Sequence, residues 1–96
     1  MELARIEGNV VSTVKSERLH GYKLLVVSLL KPDTTATDTK IVAVDTVGAG
    51  VGEIVLVVRG SSARLAADLA NVPSDATIVG IVDCIVYQGE EMYNKQ

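Results

Sequence analysis

Short runs rich in valine and isoleucine, separated by turn-forming clusters, make up most of this 96-residue sequence. Because β-branched side chains favour extended backbone, each run is predicted to be a strand. The chain has no Phe and no Trp, so the core between these strands must be aliphatic. The predicted strands cover residues 3–15 with a bend at Gly8, then 22–30, 40–45, 54–59 and 77–87.

The segments between and after these strands are predicted to form a short helix, a loop and a tail. Ser61 and Ser62 offer hydroxyl N-caps to a short helix predicted over residues 63–70. Residues 31–39 are predicted to form an exposed loop, and residues 88–96 a polar C-terminal tail that is mobile unless a partner orders it. Five strands with one helix between the fourth and fifth predict a mainly β fold, an OB-like closed barrel, because closure hides strand edges. Residues 1–96 are predicted to be a single domain.

Charge and composition argue against several classes of function. The net charge is −3 and the basic residues are scattered, and aromatic side chains for base stacking are scarce, so nucleic-acid binding is not expected. The sequence begins without an apolar signal core and has no apolar run of membrane-spanning length, which predicts a cytosolic protein. A positive mean hydropathy in so small a domain indicates apolar surface left for self-association.

The glycine-rich segment after the third strand is the most conspicuous candidate for chemistry. Gly48, Gly50 and Gly52 resemble a phosphate-binding loop, but Glu53 and a strand follow them where a helix would be needed. No Lys-Ser or Lys-Thr pair is present either. The pattern therefore favours a tight turn or a surface of close backbone contact.

Nucleophilic and metal chemistry find little support. His20 and Cys84 could form a base and a nucleophile, but no third orienting group can be named, and Cys84 is predicted to be a core residue of the last strand. One His and one Cys cannot build a tetrahedral metal site within one chain, which leaves only a site shared between subunits. Ser61 and Ser62 fit helix capping better than catalysis. We predict no catalytic residue, cofactor or metal.

Four segments occur in order along the chain: Val44-Asp45, the glycine segment 47–53, residues 57–64 and residues 73–83. Together they resemble one known family, the EutN/CcmL vertex proteins of bacterial microcompartments. The similarity begins at Leu3 and extends over nearly the whole chain.

The resemblance implies a structural protein without catalytic activity. It implies an OB-like barrel that forms a homopentamer and caps the vertices of an icosahedral shell among hexameric shell proteins, in the bacterial cytoplasm. Arg64 and Asp83 would be polar partners within or between subunits. The glycine segment and the extended tail resemble those of catabolic compartments. The residues expected at shell or subunit contacts are Gly48, Ala49, Gly50, Val51, Gly52, Glu53, Ser61, Ser62 and Arg64. The alternative is an OB-like barrel that binds a small ligand or single-stranded nucleic acid.

Overall fold

The computed structural model describes residues 1–11, 22–60 and 75–96 of the chain. Seven strands occupy most of these residues. They are β1 (Glu2–Val10), β2 (Lys23–Leu30), β3 (Ala36–Asp45), β4 (Ile54–Arg59), β5 (Ala76–Ile81), β6 (Cys84–Tyr87) and β7 (Glu90–Asn94).

Five of the strands close into a barrel in the order β1, β2, β3, β5, β4, and β4 pairs back onto β1. All neighbours are antiparallel except β3 and β5, which pair in parallel through Val44 and Asp45. The predicted five-stranded closed barrel is therefore confirmed. The helix predicted over residues 63–70 lies outside the described residues. In the described ranges no helix is long and apolar enough to cross a membrane.

Small aliphatic side chains fill the barrel. Because successive residues of a strand face opposite sides, alternate positions of each strand point inward. A five-stranded barrel is narrow, and Val, Ile, Leu and Ala fill it without an aromatic ring. The buried core comprises Ala4, Ile6, Leu25, Val27, Leu29, Ala43, Ala49, Val55, Val57, Ala76 and Ile78.

The bend predicted at Gly8 is a β-bulge. The pairing of β1 with β2 shifts register between Ile6 and Gly8, so that Glu7 is the extra residue. A bulge strengthens the local twist of a strand, and β1 uses it while pairing with both β2 and β4.

The loop predicted over residues 31–39 is shorter than expected, because β3 begins at Ala36. Asp33 Oδ1 accepts hydrogen bonds from the amide and the hydroxyl of Thr35, at 3.0 and 2.6 Å, and this closes a tight turn. The polar residues 37–39 looked loop-like by composition, but threonine is β-branched and suits an exposed strand. Thr37 also donates its hydroxyl to the carbonyl of Leu29 on β2.

The C-terminal region differs most from expectation. The single strand predicted over residues 77–87 is broken at Val82 and Asp83 into β5 and β6. The predicted mobile tail instead folds back as β7, and Tyr87 pairs with Glu90 across a two-residue turn. Gln88 and Gly89 both have positive φ, 53° and 79°, as a type I′ hairpin turn requires. The result is a β6–β7 hairpin that forms a separate two-stranded sheet outside the barrel.

Candidate functional site

The glycine loop, residues 47–53, joins β3 to β4 at one end of the barrel. Its first half is held by Asp45, the last residue of β3. Asp45 Oδ1 accepts hydrogen bonds from the amides of Val47 and Gly48 at 2.9 and 3.1 Å, and Oδ2 accepts one from Ala49 at 3.0 Å. The carboxylate is 1% exposed. Three amide donors compensate the loss of water around this buried charge and fix the loop backbone.

Lys23 adds a positive charge to the same arrangement. It begins β2 directly opposite Asp45, and its Nζ lies 3.7 Å from Asp45 Oδ2. The ammonium also donates to the carbonyl of Ala49 at 3.2 Å. Lys23 thus connects the carboxylate to the loop that the carboxylate binds.

Glu53 holds the second half of the loop. Its Oε1 accepts the amide of Gly50 at 2.7 Å, and its Oε2 pairs with Lys95 Nζ at 2.6 Å. The hydrogen bond from Lys95, followed by the Gly50 amide, lowers the pKa of the Glu53 carboxyl below its ordinary value. The same contact raises the pKa of Lys95. The C-terminal hairpin therefore reaches the glycine loop through one ion pair.

Strand β1 anchors the loop from the other side. The amide of Gly52 donates to the carbonyl of Ile6 at 2.8 Å, and Arg5 Nη1 donates to the carbonyl of Gly52 at 2.9 Å. The Arg5 guanidinium also lies 6.0 Å from the centroid of the Tyr93 ring on β7. These contacts join the loop, β1 and the hairpin at one end of the barrel.

The three glycines of the loop differ in whether the backbone conformation requires glycine. Gly48 and Gly52 have φ of 77° and 92°, a region that L side chains rarely adopt. Gly50 has no such φ, and a Cβ there would meet Glu53 Oε1 at 3.5 Å, an ordinary contact. Nothing described within this chain therefore requires glycine at position 50.

The loop presents apolar side chains and bare backbone to solvent. Ala49 points into the barrel end and is buried, whereas Val47 and Val51 are 37% and 64% exposed. A Cβ at Gly48 or Gly52 would meet nothing within 4 Å. Such a surface has the character of a protein contact, because it offers exposed apolar area on a fixed backbone.

The other candidates that lie in the described ranges are not gathered into a catalytic or metal centre. Across the described ranges, no cluster of three His, Cys, Asp or Glu side chains could hold a metal ion. Cys84, predicted to lie in the core, is exposed because the break at Val82 and Asp83 starts a new strand outside the barrel. Desolvation and then the nearby Glu91 carboxylate raise the pKa of its thiol, the opposite of activation. His20, Ser61, Ser62 and Arg64 lie outside the described residues, so the Arg64–Asp83 pairing stays a prediction.

Sequence reasoning missed the side chains that hold the loop. Asp45 was recognised only as part of a motif near a strand end, although an Asp two residues before a Gly-rich turn is a typical Asx-turn signal. Lys23, Arg5 and Lys95 gave no local signal, because each reaches the loop from a different strand or from the C-terminal end of the chain.

Comparisons with known proteins show which family this chain belongs to. The family model described as "Ethanolamine utilisation protein EutN/carboxysome" matches residues 1–83. The carboxysome shell vertex protein CcmL of Synechococcus elongatus is 42% identical over 96 residues, covering 100% of this chain and 97% of the relative.

Two solved structures extend the similarity to the fold. The crystal structure of the ethanolamine utilization protein EutN from Escherichia coli is 41% identical, with a TM-score of 0.89, and the match covers 99% of this chain and 98% of that one. GrpN from Rhodospirillum rubrum, described as a pentameric microcompartment shell protein, is 48% identical with a TM-score of 0.82, covering 91% and 99%. The chain belongs to the EutN/CcmL family. The prediction of a structural protein that is not an enzyme is confirmed by its relatives, which are shell vertex proteins.

Proposed function

We propose that this protein forms a homopentamer that caps the vertices of an icosahedral bacterial microcompartment shell. The observation that carries the proposal is the 48% identity and TM-score of 0.82 to a shell protein described as pentameric. Head-to-tail contacts between identical subunits close into a ring when the rotation per subunit divides a full turn. A ring of five supplies the curvature that flat layers of hexamers lack.

The glycine loop is the part of the barrel that we propose contacts neighbouring hexameric shell proteins. A contact between preformed rigid tiles favours surfaces that do not have to be ordered on binding, because ordering costs entropy. The loop is already fixed by Asp45 on one side and Glu53 on the other. Its exposed Val51 and side-chain-free glycines allow another backbone to approach closely.

Native mass spectrometry of the purified chain at several concentrations tests the ring directly, because it counts subunits without assuming a shape. A dominant species of five subunits is expected. A chain that remains monomeric at every concentration, and that also stays out of shells made by co-expressed hexameric proteins, would overturn the proposal.

The loop contact can be tested separately from the ring. Gly50→Val and Val51→Glu are expected to leave the fold and the ring intact, because Gly50 has an ordinary φ and Val51 is exposed. Both changes are expected to leave shells unsealed at their vertices, as seen by electron microscopy and by leakage of an encapsulated enzyme. Thr39→Val, at an exposed position on β3, is the matched control. Sealed shells with both loop variants would contradict the contact.

We further propose that the shell is a catabolic one in the bacterial cytoplasm. Support comes from the glycine loop and C-terminal region, which resemble those of catabolic members. Co-expression with hexamers of either a carboxysome or an ethanolamine compartment tests this. Sealing of the ethanolamine shell is expected, and sealing of the carboxysome shell in its place would refute the assignment.

A further inference from the structure

The last residues of the chain, 93–96, lie against the glycine loop, and we call them the strap. Lys95 Nζ of the strap lies 2.6 Å from Glu53 Oε2, and the Tyr93 ring lies 6.0 Å from the Arg5 guanidinium. The Lys95 and Glu53 side chains are 41% and 23% exposed. Exposed ion pairs and cation–π contacts are individually weak. The strap is therefore attached by contacts that can break and form again.

The hairpin that carries the strap has its own hydrogen bonds. Strands β6 and β7 form a separate two-stranded sheet, which includes none of the described barrel strands. The amide of Lys95 donates to the carbonyl of Asp83 at 2.8 Å, so this bond continues the pairing of β6 with β7 and moves with the hairpin. Before Asp83 the chain is fixed, because the amide of Val82 donates to the carbonyl of Ile54 on β4 at 2.8 Å. The hairpin can therefore turn about Asp83 while its own bonds stay intact, as expected for an element of low local stability.

Both contacts of the strap lead to the second half of the glycine loop. Glu53 accepts the Gly50 amide through Oε1 while Lys95 holds Oε2, so the ion pair orients the carboxylate toward the loop. Arg5, which the tyrosine of the strap contacts, donates to the carbonyl of Gly52 at 2.9 Å. The position of the strap thus bears on Gly50 and on Gly52.

The first half of the loop is held from elsewhere. Its amides are bound by Asp45 at the end of β3, and Lys23 of β2 completes that arrangement. Val51, the most exposed apolar side chain of the loop, lies in the second half.

We infer that the strap is a conformational device that controls the second half of the glycine loop. With the strap docked, residues 50–53 are fixed. With the strap released, these residues become mobile while the first half of the loop and the barrel stay ordered. The role of the strap in assembly rests on the proposed contact between the loop and neighbouring shell proteins, whereas the coupling between strap and loop does not.

The two contacts are expected to act together, because they dock the same hairpin. While one contact holds, the groups of the other stay close, and loss of either contact lowers the population of the docked strap. A change at Tyr93 is therefore expected to reach Gly50, although the ring contact of Tyr93 is with Arg5. A set of independent local contacts would not transmit that change.

Amide hydrogen exchange, followed residue by residue by NMR on the whole chain, tests the coupling. Lys95→Gln removes one contact and Tyr93→Leu removes the other. In both variants the Gly50 amide is expected to exchange about two- to fivefold faster than in the wild type. The Ala49 amide, which Asp45 binds, is expected to keep its rate and to report that the fold is unchanged.

Two further variants serve as matched controls. Tyr93→Phe keeps the ring beside Arg5 and is expected to keep the wild-type exchange rate at Gly50. Lys40→Gln removes another exposed ion pair, formed with Glu7 at 2.8 Å on the barrel wall, and is also expected to leave the Gly50 rate unchanged.

The outcomes separate this inference from the proposed function. An unchanged Gly50 rate in either Lys95→Gln or Tyr93→Leu would overturn the coupling, and so would an equal acceleration at Ala49 or an acceleration at Gly50 in Lys40→Gln. A wild-type chain that stays monomeric and out of shells would overturn the proposed function, and the exchange rates would still decide whether the strap controls the loop.

Discussion

The two halves of the glycine loop are held by the same kind of group in different surroundings. Asp45 is buried, binds three backbone amides and has Lys23 at 3.7 Å. Glu53 is partly exposed, binds one amide and has Lys95 at 2.6 Å. The three amides that Asp45 binds lie at most four residues further along the chain. Glu53 instead connects the loop, through Lys95, to the C-terminal hairpin.

The difference shows what each carboxylate can contribute. A buried acceptor that satisfies several amides cannot be removed without leaving those amides unpaired, which makes it a fixed part of the fold. An exposed ion pair is screened by water and contributes little to stability. We therefore expect Asp45 to determine whether the loop forms, and Glu53 to determine how firmly the hairpin is attached to it.

Removing Asp45 should have the largest effect. Asp45→Ala leaves three loop amides without their acceptor and is expected to lower the free energy of unfolding by about 3 kcal/mol. Asp45→Asn keeps one acceptor oxygen but sets an NH₂ group against the Ala49 amide, so about half that loss is expected. Urea denaturation followed by circular dichroism measures both. Equal stability of Asp45→Ala and the wild type would remove the distinction between the two halves.

The glycines should rank next. Gly48→Val forces a β-branched residue to a φ of 77° and is expected to cost about 2 kcal/mol. Gly50→Val, where φ is ordinary, is the matched control within the same loop and is expected to cost less than half as much. Thermal unfolding by calorimetry compares the pair. A larger loss at position 50 than at 48 would show that the Gly50–Glu53 contact is more critical than the backbone conformation.

The Glu53–Lys95 pair should have the smallest effect, and one that depends on pH. The pKa of Glu53 is lower in the folded protein than its ordinary value, so the stability it contributes is present above that ordinary value. It is lost as the pH falls through the lowered pKa. The difference in urea midpoint between wild type and Glu53→Gln is therefore expected to be constant near neutral pH and to vanish in acid. Lys95→Gln is expected to show the same pH dependence. A difference in urea midpoint that grows in acid, for either variant, would contradict the contribution assigned to the Glu53–Lys95 pair.

Much of the barrel could be predicted because its signals are local. Residues 54–58 form an uninterrupted apolar run that ends at Arg59, and the predicted strand 54–59 matches β4 at both ends. The Gly8 bend and the glycine loop were also visible, since a residue without a side chain disturbs a strand pattern directly. The number of subunits proposed here comes from the family resemblance, because the periodicity of the sequence does not indicate it.

The C-terminal hairpin could not be predicted in the same way. Gln88 adopts a positive φ that its residue type does not favour, so the turn has a weak sequence signal. The strand β7 carries Glu90 and Glu91 and lacks an apolar alternation, because it borders solvent. Its placement depends on Lys95 meeting Glu53 and Tyr93 meeting Arg5, contacts between residues far apart in sequence. The core position predicted for Cys84 is wrong for the same reason, because the placement of β6 also depends on contacts between residues far apart in sequence.

The ion pair between Lys95 and Glu53 places the last described residues beside the glycine loop. A peptide epitope fused after Gln96 would therefore emerge at the same end of the barrel as the loop. On intact, sealed particles, an antibody or a protease added from outside would reach that epitope only if this end faces outward. Labelling of this epitope on sealed particles therefore reports whether the loop end of each subunit faces outward or inward.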